Sequence, residues 1–115
     1  MILAIVGSTC AREEDVIPIV HRIIQQYRPR AVVSGGAEGV DSIAERVAKL
    51  VGLPVIECQP ARKEWACYRE RNILIAELCG RLVRIVSQRS TTYGSGWTLS
   101  HARSLGKPVE EIVVP

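Results

Sequence analysis

Five short, β-branched runs alternate with four stretches of helical spacing. The runs are "ILAIV" (2–6), "AVVS" (31–34), "PVIEC" (54–58), "LVRIV" (82–86) and "VEEIVV" (109–114). Each is bounded by Gly, Pro or polar residues, as strands are. Between the first two, Val16, Val20, Ile23, Ile24 and Tyr27 recur at helical intervals and Pro29 closes the segment. After the second, Val40, Ile43, Ala44, Val47 and Val51 repeat the pattern, with Gly52 at the C-terminal cap and Pro54 beyond. A third helix is predicted over 69–79, capped by Gly80, and a fourth over 97–105, capped by Gly106 ahead of Pro108. The strands are apolar almost throughout, so both sheet faces must be covered. Right-handed crossovers then give an α/β, Rossmann-like doubly wound sandwich of five mainly parallel strands in the order 3-2-1-4-5. The last strand, with consecutive Glu110 and Glu111, reads as an edge.

A chain of 115 residues holds one such core, so residues 1–115 are read as a single domain. The opening "MILAIVGSTCAREED" carries no basic leader. Its apolar run stops at Val6, far short of the ~20 residues of a membrane span, so a cytoplasmic protein with no membrane segment is expected. Cys10, Cys58, Cys67 and Cys79 are too widely spaced for a CxxC pair, and only His21 and His101 could complete a metal site. Reduced thiols and no metal are expected, with Cys10, after the first strand, as the one candidate for reactivity. Net charge is +3, with 12 Arg against 3 Lys. Arginine pairs bidentately with phosphate or carboxylate, so an anionic partner is permitted, as are surface ion pairs.

In a doubly wound sheet, ligands sit beyond the carboxyl ends of the strands at the switch point, here between strands one and four. Gly7, Ser8 and Thr9 follow strand one; Gly35, Gly36, Ala37, Glu38, Gly39 and Asp41 follow strand two. After strand four come Ser87, Thr91, Thr92, Gly94, Ser95, Gly96 and Thr98, within which "YGSGWT" (93–98) forms a second glycine cluster. Glycines let backbone approach a ligand, and the following helix N-terminus favours an anion by ~0.3 to 2 kcal/mol. Glycines after a parallel strand also serve helix–sheet packing. Neither cluster is a Walker A loop or a GxGxxG, so ATP hydrolysis and dinucleotide oxidoreduction are not indicated. Between strand three and its helix, Trp65 and Tyr68 precede Arg71 and Asn72. Trp65 suits either stacking on a base or packing at a helix start, while Arg71 and Asn72 read as a polar pair where the third helix begins.

Taken in order, Gly7 and Ser8, "SGGAEGVDSIAERVA", "EWACYRERN" and "GSGWTLSHARSLGKPV" resemble the SLOG superfamily of Rossmann-like nucleotide-binding domains, in its small single-domain branch. The resemblance spans nearly the whole chain and is most specific at the GGA-x-GVD corner and the Arg-Asn pair. It implies a nucleotide site lined by Gly35, Gly36, Gly39, Asp41, Arg71, Asn72, Ser95, Gly96 and Thr98. The superfamily includes phosphoribohydrolases, molybdenum-cofactor carriers, the single-stranded-DNA loader of natural transformation and sensors of ADP-ribose-type signals. Its members commonly dimerise, so a homodimer is expected.

The expected ligand is therefore a phosphorylated nucleoside or nucleotide-derived compound, bound by a sensor or carrier domain that requires no cofactor. Single-stranded DNA is the rival partner, suggested by Arg62, Lys63, Arg69, Arg71 and Arg89, against which stand few aromatic residues and a modest charge. The phosphoribohydrolases carry a GGxGTxxE pattern after strand four. Aligning Gly96 with its last glycine puts Trp97 at the Thr and Ser100 at the Glu, so the carboxylate that N-glycoside cleavage needs is missing. Glu38, Asp41 or Glu64 could supply one from another loop, which keeps a nucleotide N-glycosidase as the enzymatic alternative, with Arg71 beside it.

Overall fold

The apolar runs assemble into one sheet in a computed structural model that describes residues 1–91 and 94–115. The strands are β1 (Ile2–Gly7), β2 (Ala31–Ser34), β3 (Val55–Glu57), β4 (Arg81–Ser87) and β5 (Val109–Val114), in the order β3-β2-β1-β4-β5. Every neighbouring pair is parallel. Between them lie α1 (Glu13–Tyr27), α2 (Val40–Leu50), α3 (Trp65–Leu78) and α4 (Gly94–Ser104).

Alternate strand residues feed two cores. On one face Leu3, Ile5, Val32, Val83 and Ile85 pack under α1 and α2, against Val16, Val20, Ile23, Val40, Ile43 and Val47. On the other, Ala4, Val6, Val33 and Leu82 pack against Ile75, Ala76, Leu99 and Ala102 of α3 and α4. Burial on both sides is why these strands carry no polar alternation. The sheet order, the parallel sense and the edge position of β5 agree with the reading of the sequence, and Gly52 and Gly106 take the positive φ of C-terminal caps.

Two helices differ from expectation, and both differences move site residues. α3 begins at Trp65, with Glu64 as an extended N-cap residue, four residues before the predicted start. It buries Asn72, Ile75 and Ala76 but leaves Leu74 and Leu78 well exposed, so no clean apolar stripe announced its first turn. Gly80 is not a left-handed cap. Its N–H donates to the Ile2 carbonyl at 2.8 Å, and a Cβ there would lie 2.8 Å from Cγ of the exposed Met1 side chain. Lys107 instead caps α3, donating from Nζ to the carbonyls of Ala76, Glu77 and Cys79. α4 already includes Gly94 to Gly96, so the second glycine cluster is helix rather than loop; Thr92 and Tyr93 lie outside the described residues.

Cys58 and Cys79 are buried, Cys67 is half-buried and Cys10 is exposed, all as free thiols. Burial pushes the Cys58 and Cys79 thiols up from their ordinary range. Among the described residues no helix is long and apolar enough to cross a membrane.

Candidate functional site

A cleft of about 430 Å³ opens beyond the carboxyl end of β1, at the switch point of the sheet. Val6, Gly7 and Thr9 form one wall from the end of β1, and Ala37 and Asp41 a second from the start of α2. Trp65, Tyr68, Arg71, Asn72 and Ile75 of α3 face Gly94, Ser95 and Thr98 of α4. The switch point thus gathers residues from four segments, as the strand order requires.

Gly35 is the joint of this site. Its N–H donates to Asp41 Oδ2 at 3.1 Å, and its carbonyl accepts from Arg71 Nη1 at 2.8 Å. A Cβ on Gly35 would lie 2.5 Å from Arg71 Nη1 and 2.8 Å from Asp41 Oδ2, so only glycine fits between the two charges. Arg71 is held further by Nε donating to Asn72 Oδ1 at 2.8 Å, with its guanidinium 5.6 Å from the Tyr68 ring centroid. Asn72 is buried, and the adjacent pair sits in the second turn of α3 rather than at its start, as the longer helix dictates.

Asp41, on the first turn of α2, does not cap its own helix; its carboxylate binds back to the corner. Burial pushes its pKa up to about 6, against Arg71 and the amides of Gly35, Ala37 and Gly7, which favour the charged form. One turn on, Glu45 is buried with an unpartnered Oε1 and rises to about 7 through burial and its contact with Glu57. Glu57, at the end of β3, is lowered by the hydrogen bonds it accepts from Glu45 and from Gln59. The Asp41-to-Glu45 spacing, one helical turn on a buried face, was a readable signal for this acidic set and was missed.

The remaining predicted residues divide. Gly7 and Gly39 act through close packing: a Cβ on Gly7 would lie 2.0 Å from the Ile85 carbonyl oxygen, and one on Gly39 2.3 Å from that of Ser8. Gly7 also borders the cleft, whereas Gly39 does not. Ser8 is buried, its Oγ accepting from the Ser87 N–H at 2.9 Å, which ties the ends of β1 and β4. Gly36 takes φ +71, but a side chain there would strike Glu57 Oε1 at 2.6 Å rather than fill the cleft. Thr98 Oγ1 donates to the Gly94 carbonyl, and Gly96 is buried within α4. Glu38 is exposed and Glu64 lies at the N-cap of α3, accepting from Cys67; neither borders the cleft. Asp41 is therefore the one carboxylate lining it among the described residues. No three His, Cys, Asp or Glu side chains among the described residues gather as a metal-ligand set.

Arg84 was not anticipated. It is buried on the α4 side of β4, donating from Nε to Ser95 Oγ at 2.9 Å and from Nη1 to Glu111 Oε2 at 2.6 Å. A charged residue inside the apolar run "LVRIV" was its signal. At the mouth, Trp65 is 52% exposed. Its ring meets Trp97 edge-on at 5.9 Å, and Trp97 stacks on His101 at 5.2 Å beneath Arg69.

The chain is a Rossmann-like α/β domain, five parallel strands with a cleft at the switch point. It is similar in fold to DNA processing protein A from Streptococcus pneumoniae, with a TM-score of 0.76 and 21% sequence identity. The match covers 95% of this chain and 49% of that protein, so the chain spans about half its length. No protein-family model matches the sequence, and no curated protein does.

Proposed function

We propose that this domain binds a phosphorylated nucleoside or nucleotide-derived ligand in the cleft and acts as a sensor or carrier, as its resemblance to the small single-domain SLOG branch suggests. The observation that carries this reading is the half-buried Arg71, fixed by Gly35 and Asn72 beside the exposed ring of Trp65. A pre-oriented guanidinium suits a phosphate, and a free aromatic face next to an apolar floor of Val6 and Ile75 suits a base. The buried reduced thiols are in keeping with a cytoplasmic protein. Exposed Leu74 and Leu78 on α3 offer a face for the homodimer, which light scattering at high protein concentration tests directly.

Mass spectrometry of what co-purifies with the native protein, followed by calorimetric titration with that compound, tests the reading. Micromolar or tighter binding by the parent, lost in Arg71→Ala, supports it; equal binding by both moves the ligand elsewhere.

Two alternatives rest on specific observations. The raised pKa of Asp41 gives the cleft a carboxyl group that can carry a proton near neutral pH, the requirement for an N-glycosidase acid or base. Turnover of the bound nucleotide by the parent, absent in Asp41→Asn, decides for that enzyme. Single-stranded DNA is favoured by the fold shared with DNA processing protein A and by Trp65, Trp97 and Arg69 at the mouth. Filter binding at low and physiological salt separates it, because strand binding falls steeply with salt.

A further inference from the structure

Beside the cleft lies a second, shallower depression of about 480 Å³, between the Gly35–Gly36 corner and the loop joining β3 to α3. The two hollows are not independent: Ala37, Tyr68 and Arg71 border both. Their chemistry differs. The cleft mixes aromatic and apolar walls with polar groups, one cation, Arg71, and one carboxylate, Asp41, whereas the depression is rimmed by Arg62 and Lys63 and has no carboxylate in its lining among the described residues.

Among the described residues, no ion pair or side-chain hydrogen bond engages these two cations. Both are exposed, and neither belongs to the ion pairs among the described residues, which are Arg12 with Glu14, Arg46 with Glu13 and Arg84 with Glu111. Of the acidic groups at this corner, Glu57 lies against Gly36 and is taken up by Gln59 and Glu45, Asp41 is bound to the Gly35 N–H, and Glu64 accepts from Cys67. Arg71, at the waist, keeps Nη2 out of its bonds to Gly35 and Asn72.

Resting on the nucleotide reading above, we propose that the depression is a second phosphate subsite and that the preferred ligand is a small nucleotide with at least two phosphates. Its base lies in the cleft, one phosphate meets Arg71, and the next meets Arg62 and Lys63. A monophosphate leaves the second pair of cations idle, and each added charge-assisted contact is about twice as strong as a neutral one.

The test is calorimetry with adenosine and guanosine 5′-monophosphates and 5′-diphosphates at low salt, on the parent and on an Arg62→Ala/Lys63→Ala variant. Both positions are on the surface, so the variant is expected to fold as the parent does. The parent should bind a diphosphate at least about tenfold more tightly than its monophosphate, corresponding to about 1.4 kcal/mol. The variant should lose that preference while its monophosphate affinity stays within roughly twofold, and added salt should shrink the parent's preference. Equal binding of mono- and diphosphate by the parent, or a preference that survives in the variant, overturns the subsite and leaves the nucleotide reading intact. Binding of none of the four overturns both. A short single-stranded oligonucleotide that displaces the diphosphate at equal concentration overturns the small-ligand form in favour of a strand.

Discussion

Arg71 donates from Nη1 to the carbonyl oxygen of Gly35 at 2.8 Å, joining the second turn of α3 to the corner after β2. The bond has a structural role, and Arg71 a proposed role in binding, and substitution separates the two. Arg71→Ala should cost about 1–2 kcal/mol of stability, at the lower end for charged hydrogen bonds because the group is only half buried. Ligand affinity should fall by ~10-fold or more. Arg71→Lys keeps the charge but cannot serve Gly35 and Asn72 from one planar fork, so it should restore stability only in part and binding little. Urea denaturation and calorimetry on the two variants check both.

The pH dependence of stability follows from carboxyl groups under the same corner. Asp41 titrates at 3.8 when unperturbed and at about 6 in the fold, so the native state holds this proton more tightly. The contribution is fully present below pH 3.8 and is lost as pH rises through about 6. Glu45, moved from 4.5 to about 7, extends the loss through neutrality, while the lowered Glu57 acts in the opposite sense on the acid side of 4.5. The protein should therefore be more stable near pH 5 than near pH 8, by on the order of 2 kcal/mol. Asp41→Asn and Glu45→Gln should each flatten the profile, measured as urea midpoints across that range.

Gly36→Ala and Gly52→Ala form a matched pair, with φ of +71 and +83. Each should lose ~1 to 2 kcal/mol to left-handed strain. At Gly52 nothing lies within 4 Å of the new Cβ, whereas at Gly36 it meets Glu57 Oε1 at 2.6 Å. Thermal denaturation should show the Gly36 variant as the less stable, and a Glu57→Ala change made in both backgrounds should remove the difference.

Trp65→Ala separates binding from folding in the other direction. With half its surface exposed and one edge-on ring contact, Trp65 should contribute under about 1 kcal/mol to stability. If a base stacks on it, affinity should fall by ~1 to 3 kcal/mol, and ligand should quench the fluorescence of the parent but not of Trp65→Phe.

The inner strands β1, β2 and β4 were legible because double burial leaves a simple mark, a nearly uninterrupted apolar run, and the order of all five followed from connection rules. Helices α1 and α2 were legible from their apolar stripes. The start of α3 was hidden because Trp65, Tyr68 and Arg71 turn toward the cleft rather than the core, so its first turns carry no helical pattern of burial. The glycines were readable as a corner, but not the partner each one meets. Gly35 is fixed by a residue 36 positions away, and Gly7 by the Ile85 carbonyl, contacts that exist only after the sheet closes. Arg84 and Glu45 stood in plain view as charges in apolar settings, yet their partners Ser95, Glu111 and Glu57 come from other segments.

β1 takes β4 as its neighbour, from Leu3 beside Arg81 to Gly7 beside Ile85, although three helices and two strands intervene along the chain. During synthesis the β3-β2-β1 half can form while the outer edge of β1, apolar from Leu3 to Val6, still has no partner. Such an edge is a template for a wrong chain, and closing it requires a distant, entropically slow encounter. The cleft takes Gly94, Ser95 and Thr98 from α4, which follows β4 in the chain, so it is incomplete until that junction has closed. A ligand that binds there recognises only the finished molecule and draws the folding equilibrium toward it by mass action. A compound of the proposed kind would thus also be a folding clamp, and cells that lack it should hold less of the protein.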